Sequence, residues 1–472
     1  MTDKNTSRHG PSDRVDRRAF LGASGLVAAG LTLAPVGPII RRARAADVTP
    51  RTAKNLIFVV SDGMSMGTLQ MADMLIERRD ARRSHWATML GREDVHQAIM
   101  DTRSADSIVT DSAAAATQWG TGAAANNGAI GMTPDGAFPE PILVRARRAG
   151  KMTGLVTTCR ITHATPAGFV ANIGGNRDDE GPIAEQMLDR RVDLLLGGGG
   201  KFVTQELLRG HADIDVVRTA AALAAWKGET ERARRLIGLF DDDHMDFEID
   251  RTDTQPTLAA MTRAALAYLG EASSGFVVQI EGGRVDHAAH SNDAAALIHD
   301  QRAFDEALGV AFEWAQRRDD TLVILTTDHG NANPAVTDYG ARGGAGFERL
   351  MEARHSFVWL NRRLEQLRPR FEDEAVRELV REATGVALES RDLGFVMRWL
   401  KGEDVDPFVL ASKGAGPLAS VLANHYAVAF LSPNHTSDLV PVSAWGPGAE
   451  RLPGYLTMRE MHTLMVGAMG IA

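Results

Sequence analysis

The sequence predicts an α/β protein: a three-layer α/β/α sandwich with a central, mostly parallel sheet and an inserted smaller subdomain. Short, continuously apolar runs alternate along the chain with segments of helical period, which is the order expected of parallel strands joined by helices. Because the runs are apolar on both faces, we expect strands that are buried between two helical layers. The runs lie at residues 55–60, 153–157, 193–196, 275–280 and 321–325.

Polar side chains follow several of the apolar runs directly, and helical segments separate the runs. The clearest helical segments are residues 182–191, 258–271 and 293–316. The polar side chains after the runs are Asp62, Glu281, Asp328 and His329. Ligands of parallel α/β sheets gather at the carboxyl ends of the strands, so we expect a functional site at this edge of the sheet.

The alternation changes between residues 334 and 422, where charged amphipathic helices such as 372–383 and 391–402 replace it. We therefore predict a catalytic α/β domain that is interrupted by a smaller subdomain. The catalytic domain is formed by residues 47–333 and 423–472. Residues 334–422 form the inserted, crown-like or cap-like subdomain.

A second insertion is predicted at residues 201–255, and it contains an acidic cluster that ends in His244. Such a cluster can bind a cation, but a solvated turn is the simpler interpretation. The strand pattern resumes at residues 426–431 and again at residues 440–442.

The N-terminal residues have the composition of an export signal. Arg14, Arg17 and Arg18 precede a weakly apolar stretch, and an Ala-Arg-Ala sequence ends it at Ala45. This order resembles a twin-arginine signal with its cleavage site. A retained membrane anchor is the alternative, but glycines and prolines interrupt the stretch, which is short for a span. We expect removal of residues 1–46, a periplasmic or secreted location and no stable membrane anchor afterwards.

Composition excludes several classes of protein. The chain has 472 residues, of which 44% are hydrophobic and 24% charged, and its net charge is −9. These values are typical of a soluble globular protein rather than a disordered or nucleic-acid-binding one. Cys159 is the only cysteine, so no intramolecular disulfide can form, and we expect any metal site to be built from His, Asp, Glu and hydroxyl oxygens.

Ser112 stands at a predicted helix start. It follows a β-branched run and Asp111, and a string of alanines comes after it. The N–H groups in the first turn of a helix have no partner inside it, and the peptide dipoles leave partial positive charge there. An oxyanion bound beside Ser112 would therefore be stabilised. The alternative on this stretch alone is that Asp111 and Ser112 merely cap the helix.

Two further stretches carry side chains that bind metal ions. Glu281, Asp286 and His290 lie within ten residues, and a helix would place the last two on one face. Asp328 and His329 end a predicted strand. A polar helix start and a hydrogen-bonded Asp–His pair are the alternatives for these stretches. Two zinc ions about 4 Å apart can clamp the attacking and leaving oxygens of a phosphoryl transfer, and the chain offers enough ligands for that.

Taken together, these stretches resemble the alkaline phosphatase family, with Asp111-Ser112 at the position of the family's nucleophile motif. The resemblance covers most of residues 55–316, then residues 321–333 and 426–448. It implies a phosphoserine intermediate on Ser112 and three metal cofactors, two zinc ions and one magnesium ion. Coordination to zinc would make the serine hydroxyl a better nucleophile.

The resemblance also implies which side chains hold the three ions. One zinc ion would be held by Asp286, His290 and His435. The second zinc ion, next to Ser112, would be held by Asp62, Asp328 and His329. The magnesium ion would be held by Asp62, Thr165 and Glu281.

Two further residues, Arg177 and His163, take their expected roles from the same resemblance. The family uses an arginine to grip two phosphate oxygens, a task that suits a bidentate guanidinium. Arg177 is the candidate, with Arg160 in the same region as the alternative. His163 and His287 stand at positions where the family varies, and His163 would be either a direct metal ligand or the partner of one.

The implied activity is hydrolysis of small phosphate monoesters to an alcohol and inorganic phosphate, with no nucleic acid as a specific partner and with a homodimer left open. A phosphodiesterase or nucleotide pyrophosphatase of the same superfamily is the alternative enzyme. Those enzymes lack the third metal site, so Glu281 and Thr165 favour the monoesterase. A non-catalytic periplasmic zinc- or phosphate-binding protein is the alternative from another class. Ser112 discriminates against it, because binding alone needs no nucleophile.

Overall fold

The computed structural model describes residues 52–227, 234–403 and 416–472. The predicted export signal, residues 1–46, lies outside the described residues. None of the described helices is both long enough and apolar enough to cross a membrane.

A mostly parallel sheet forms the centre of the described chain. In chain order the strands are β1 (Asn55–Ser61), β2 (His96–Asp101), β3 (Met152–Arg160), β4 (Leu194–Gly198), β5 (Ile214–Val217), β6 (Arg235–Leu239), β7 (Phe276–Gly282), β8 (Thr321–Thr326), β9 (Gly330–Asn331), β10 (Ala335–Val336), β11 (Val428–Ala429), β12 (His435–Thr436), β13 (Val440–Trp445) and β14 (Tyr455–Thr457). Ten of them pair in the order β14, β2, β13, β8, β1, β7, β3, β4, β6 and β5. Only β13 runs antiparallel to its neighbours, β2 and β8, so the predicted fold class is confirmed.

Helices cover both faces of this sheet. They are α1 (Met66–Asp80), α2 (His85–Leu90), α3 (Ser112–Thr121), α4 (Ile142–Arg148), α5 (Ala164–Gly168), α6 (Glu180–Asp189), α7 (Gln205–Arg209), α8 (Ala220–Ala225), α9 (Leu258–Leu269), α10 (Arg284–His290), α11 (Ala294–Gln316), α12 (Ala341–Leu350), α13 (Phe357–Glu365), α14 (Asp373–Thr384), α15 (Ser390–Leu400), α16 (Gly416–Tyr426) and α17 (Met458–Met469).

The side chains of β1 show how one strand serves two cores, because successive residues of a strand point to opposite faces. Ile57 and Val59 pack in the core that also contains residues of α1, α9 and α11. Leu56 and Phe58 pack in the core that contains residues of α3, α4 and α17. The continuously apolar run therefore reflects burial on both faces, as the sequence predicts.

Residues 201–255 are a correction to the sequence analysis, because they are not simply an insertion. β5 and β6 lie in this segment and extend the central sheet, with β6 parallel to β4. β6 begins with Arg235, whose buried guanidinium lies 3.0 Å from the carboxylate of Asp213. Sequence reasoning passed over β5 and β6, as it did β2 and β14 on the opposite side of the sheet.

The strand predicted at residues 426–431 is shorter than expected and does not belong to the central sheet. Only Val428–Ala429 forms a strand, and it pairs with β10 in a separate two-stranded sheet. Tyr426 still belongs to α16, and Ala427 has a φ of 55°, which interrupts extended backbone. The apolar run is therefore divided between a helix end and a short strand.

Helices fill most of the described part of residues 334–422, as predicted. α14 and α15 coincide closely with the predicted segments 372–383 and 391–402. Their apolar faces join the same core as α1 and α11. The division of the chain into a catalytic domain and an inserted subdomain stays a prediction.

Candidate active site

Three neighbouring parallel strands bring the predicted carboxylates to one edge of the sheet. β1 lies between β7 and β8, and Val60 stands opposite both Glu281 and Thr326. Asp62 follows β1, and Asp328 follows β8 two residues after Thr326. All three carboxylate residues are fully buried. The edge of the sheet that the sequence analysis singled out is therefore where these side chains meet.

Ser112 is the first residue of α3 and is 2% exposed. Asp111 caps the helix, because its carboxylate accepts a hydrogen bond from the N–H of Ala114 at 2.9 Å. The Ser112 hydroxyl lies 3.2 Å from Nε2 of His329. The helix start therefore carries both the Asp111 cap and the contact between Ser112 and His329. It presents the Ser112 hydroxyl and free N–H groups to the side chains at this edge of the sheet.

Two glycines fix α3 against α5, the helix that carries Thr165. A Cβ atom at Gly120 would lie 2.0 Å from the carbonyl oxygen of Gly168. A Cβ atom at Gly168 would lie 2.6 Å from the Cβ of Ala116. The two helices therefore touch through their backbones, which sets the position of Ser112 relative to Thr165.

Asp286, His290 and His435 form the first group of potential metal ligands, with one donor atom from each within 4.8 Å of the others. The two imidazole Nε2 atoms are 3.0 Å apart, although His290 and His435 are 145 residues apart in the chain. The other ring nitrogens contact backbone oxygens, Nδ1 of His290 at Pro433 and Nδ1 of His435 at Thr110. Such contacts orient an imidazole so that Nε2 faces the group.

Asp62, Asp328 and His329 form the second group, and all three are fully buried. Nε2 of His329 lies 3.1 Å from Oδ2 of Asp328 and 3.6 Å from Oδ1 of Asp62. The same Nε2 atom is the one that contacts Ser112. The second group is therefore adjacent to the candidate nucleophile.

Asp62 also belongs to the third group, with His163 and Glu281. The hydroxyl of Thr165 lies 3.4 Å from Oδ2 of Asp62, which brings all four predicted residues together. Nε2 of His163 lies 3.4 Å from the guanidinium of Arg177, and its Nδ1 is buried without a hydrogen-bond partner. The geometry is compatible with both expectations for His163, as a ligand and as the neighbour of one.

The chemistry of these groups fits bound divalent cations. Oδ1 of Asp62 and both carboxylate oxygens of Glu281 are buried without hydrogen-bond partners. Burial, followed by the nearby Asp328 carboxylate, raises the pKa of Asp62 well above its usual range. Burial likewise raises the pKa of Glu281 to about 7. Clustered buried carboxylates are costly unless a positive charge compensates them, and a cation would do so.

Arg177 lies beside Asp111 at the start of α3, whereas Arg160 does not. The guanidinium of Arg177 is 2.9 Å from the carboxylate of Asp111. Arg160 forms ion pairs with Glu180 and Asp243, each at 2.6 Å. Of the two candidates, Arg177 is therefore in position to meet a phosphate at the start of α3, and its gripping role stays a prediction.

Sequence reasoning missed Asn331, which lies two residues after His329. Its side-chain amide donates a hydrogen bond to Oδ1 of Asp286 at 2.7 Å, and its backbone N–H donates to the hydroxyl of Ser65 at 3.1 Å. Asn331 thus links the strand end at β8 to the first group. An asparagine in a loop carries no metal-binding signal, so only its closeness to His329 could have drawn attention to it.

Sequence reasoning also missed His244 as a neighbour of the site. Asp243 is solvated as predicted, since its side chain is 56% exposed. The His244 side chain, in contrast, is only 16% exposed. The ring of His244 lies 4.4 Å from that of His287 and 5.4 Å from that of His163. No spacing rule links these residues, because they come from three different parts of the chain.

The chain is similar to known proteins over most of its length. The family model for alkaline phosphatase matches residues 53–471. Alkaline phosphatase 4 of Bacillus subtilis (strain 168) is 27% identical over 428 residues, which cover 87% of this chain and 88% of the relative. Alkaline phosphatase of Escherichia coli (strain K12) is 30% identical over 341 residues, which cover 61% of this chain and 72% of the relative.

A solved structure matches over nearly the same extent. The crystal structure of Thermus thermophilus alkaline phosphatase is 32% identical and superposes with a TM-score of 0.82, covering 89% of this chain and 92% of that one. The family model, the curated relatives and the solved structure all have the same activity in their names. The chain therefore belongs to the alkaline phosphatase family and is a phosphomonoesterase.

Proposed function

We propose that the chain hydrolyses phosphate monoesters through a covalent phosphoserine on Ser112, assisted by two zinc ions and one magnesium ion. The observation that carries the proposal is the position of the Ser112 hydroxyl, which is buried at a helix start and lies 3.2 Å from Nε2 of His329. His329 in turn belongs to a group of potential metal ligands with Asp62 and Asp328. A hydroxyl nucleophile beside metal-ligating side chains is what metal-assisted phosphoryl transfer requires.

The donor atoms of each group suit the proposed ion. The first zinc ion would be held by Asp286, His290 and His435, and the second by Asp62, Asp328, His329 and Ser112. Imidazole and carboxylate are usual zinc ligands. The magnesium ion would be held by the oxygens of Asp62, Thr165 and Glu281, with His163 beside it, since magnesium prefers oxygen. When bound, the cations would supply positive charge to the transferring phosphoryl group and the leaving oxygen.

The reaction would proceed in two steps on Ser112. In the first, its hydroxyl oxygen forms a bond to phosphorus while the bond from phosphorus to the alcohol oxygen breaks, and the serine proton leaves with the alcohol. In the second, water attacks the phosphoserine, which restores the Ser112 hydroxyl and releases inorganic phosphate. The free N–H groups at the start of α3 and the guanidinium of Arg177 would bind the non-bridging phosphate oxygens in both steps.

Rates on an aryl phosphate and an aryl phosphodiester, with zinc and magnesium measured per chain on the same preparation, test the proposal. We expect faster hydrolysis of the monoester, loss of activity on chelation and recovery with zinc plus magnesium. Ser112→Ala should abolish nearly all activity, and Ser107→Ala is the matched control, since its hydroxyl accepts a hydrogen bond from Val109 in the preceding loop. A faster diesterase, or a fully active metal-free protein, would contradict the proposal.

We also propose that residues 1–46 direct export by the twin-arginine route to the periplasm or beyond. Support comes from the order of Arg17, Arg18, the apolar stretch and the small residues that end at Ala45. Replacing both arginines with lysine in the full chain should leave the enzyme in the cytoplasm of a bacterial host. Unchanged export of that double variant would contradict this assignment.

A further inference from the structure

Three potential metal ligands converge outside the three groups described above. Cys159 belongs to β3, His244 follows β6, and His287 belongs to α10. One donor atom from each lies within 4.8 Å of the others. Sγ of Cys159 is 4.0 Å from Nδ1 of His287, and the two imidazole rings are 4.4 Å apart. One sulfur and two nitrogens therefore surround a common point.

Backbone features bring Cys159 into this position. The pairing of β3 with β4 shifts in register between Val156 and Arg160, which is the irregularity expected of a bulge. Bulges commonly redirect side chains next to active sites. Gly283 makes room for the sulfur, because a Cβ atom there would lie 2.6 Å from Sγ of Cys159. The thiol is fully buried and faces the imidazoles rather than solvent.

Two arginines contact the imidazoles of this cluster and therefore affect which cations could bind to it. Nη1 of Arg284 is 2.7 Å from Nδ1 of His287, and Nη1 of Arg160 is 2.5 Å from Nε2 of His244. A guanidinium can only donate a hydrogen bond, so the imidazole nitrogen that it contacts carries a lone pair. That lone pair is available to a metal once the contact is displaced. A cation must displace the guanidinium contacts, which favours strong bonds to sulfur and nitrogen over hard cations that prefer oxygen.

We propose that Cys159, His244 and His287 form an additional binding site for a thiophilic divalent cation of the zinc class. Binding replaces the proton of the Cys159 thiol, which passes to solvent, by a bond from sulfur to the metal. The site does not depend on the proposed phosphoserine mechanism. His287 packs 5.5 Å from His163, ring to ring, so an ion in the additional site fixes the imidazole that borders the third group.

Cobalt substitution tests the proposal directly, because Cys159 is the only cysteine of the chain. Cobalt replaces zinc in proteins, and a bond from thiolate to cobalt produces a charge-transfer band in the near ultraviolet. Every such band in this protein must come from Cys159. The full chain, freed of metal by chelation and titrated with cobalt, should develop the band to saturation. Zinc should abolish the band, whereas magnesium should not.

Variants then test the two imidazoles. His244→Ala should weaken the cobalt affinity read from the band by at least about tenfold, since even the loss of an outer contact to a metal ligand costs that much. His287→Ala should act in the same direction. His211→Ala is the matched control from the same segment of the chain, because His211 pairs with Asp189 outside the cluster. It should leave the band and its affinity unchanged.

Two results would overturn the proposal. One is the absence of the band in wild-type protein whose Cys159 is shown to be reduced by thiol titration after unfolding. The other is a band whose cobalt affinity is the same in wild type, His244→Ala and His287→Ala. Circular dichroism of each protein distinguishes a lost site from a lost fold, and the wild-type titration needs no variant at all.

Discussion

At the residue scale, one carboxylate connects the helix start at Ser112 to the guanidinium of Arg177. Asp111 accepts hydrogen bonds from the N–H groups of Ala114 and Gly128, each at 2.9 Å, and pairs with Arg177 at 2.9 Å. The start of α3 and the guanidinium are thereby fixed relative to each other. Preorganised donors of this kind are the main source of rate in phosphoryl transfer.

The first prediction concerns Arg177. Arg177→Lys keeps the charge but removes the planar fork that binds two oxygens at once, so kcat/KM for an aryl phosphate should fall roughly 100-fold. Arg160→Lys is the control, because Arg160 pairs with Glu180 and Asp243 and should retain most of the activity. A larger loss in Arg160→Lys than in Arg177→Lys would assign the role to Arg160 instead.

Most candidate residues could be identified from the sequence because they follow recognisable strand runs or stand at a helix start. Asp62, Asp328 and Ser112 are of this kind. Arg177 was preferred to Arg160 from the sequence, but the positions of the two guanidinium groups depend on how the loop before α6 folds. His244 was missed for the same reason, since its contacts are set by loop conformation rather than by spacing.

At the scale of elements, the site depends on strand ends and on one helix contact. β7, β1 and β8 end at the same edge, which brings the buried carboxylates together. α3 is held against α5 through Gly120 and Gly168, so the position of Ser112 depends on a backbone contact. The strands could be predicted where they are apolar throughout. β5 and β6 were not predicted: β5 has only four residues and includes Asp215, and β6 has five and begins with Arg235.

The helix contact gives a prediction about stability. Gly120→Ala places a methyl group 2.0 Å from the carbonyl oxygen of Gly168, so the two helices must separate. We expect a loss of about 1–3 kcal/mol in the free energy of unfolding, measured with urea. Gly181→Ala in α6 is the matched control, since no atom beyond the adjacent residues and the backbone of its own helix lies within 4 Å of the added methyl group, and the helix gains a better helix former. Equal stability of Gly120→Ala and wild type would refute the contact.

A second prediction at this scale concerns acid sensitivity. His299 lies on α11, and burial, with Arg79 and Arg302 nearby, lowers its pKa to about 4. Because the unfolded histidine has a pKa of about 6.5, the unfolded chain takes up the proton first, and stability is lost as pH falls from 6.5 to 4. Between pH 7 and pH 5 the wild type should therefore lose about 2 kcal/mol more than His299→Gln.

The control for this comparison is His96→Gln, since His96 is exposed on β2. The difference between wild type and variant isolates His299 from the other groups that titrate over the same range. If urea unfolding shows the same loss between pH 7 and pH 5 for wild type and His299→Gln, the buried neutral state of His299 is wrong.

At the scale of the whole molecule, the first group of potential metal ligands is completed by His435, which comes from a late segment of the chain. β13 inserts between β2 and β8, and β12 pairs with β9, which carries His435 to the end of β8. His435 there meets Asp286 and His290 from a segment far earlier in the chain. A metal ion bound there would join distant parts of the fold, so removal of metal should affect stability as well as activity.

We expect chelation to lower the melting temperature of the whole protein by several degrees. A cation that binds only the folded state adds about 4 kcal/mol when its free concentration is 1,000 times its Kd. The clustered carboxylates of Asp62, Asp328 and Glu281 would also repel one another without it. Calorimetry before chelation, after it and after return of zinc and magnesium measures the effect. An unchanged melting temperature in protein shown to be metal-free would contradict the assignment of these groups as metal sites.

The central claim is that Ser112 carries the phosphoryl group during the reaction. The most direct measurement is to mix the full enzyme with a labelled phosphate monoester at acid pH, quench it, digest it and locate the label by mass spectrometry. The account predicts one phosphorylated peptide, with the phosphate on Ser112, and no labelled peptide in Ser112→Ala. Label on another residue, or active enzyme that yields no phosphopeptide under any quench condition, would contradict it.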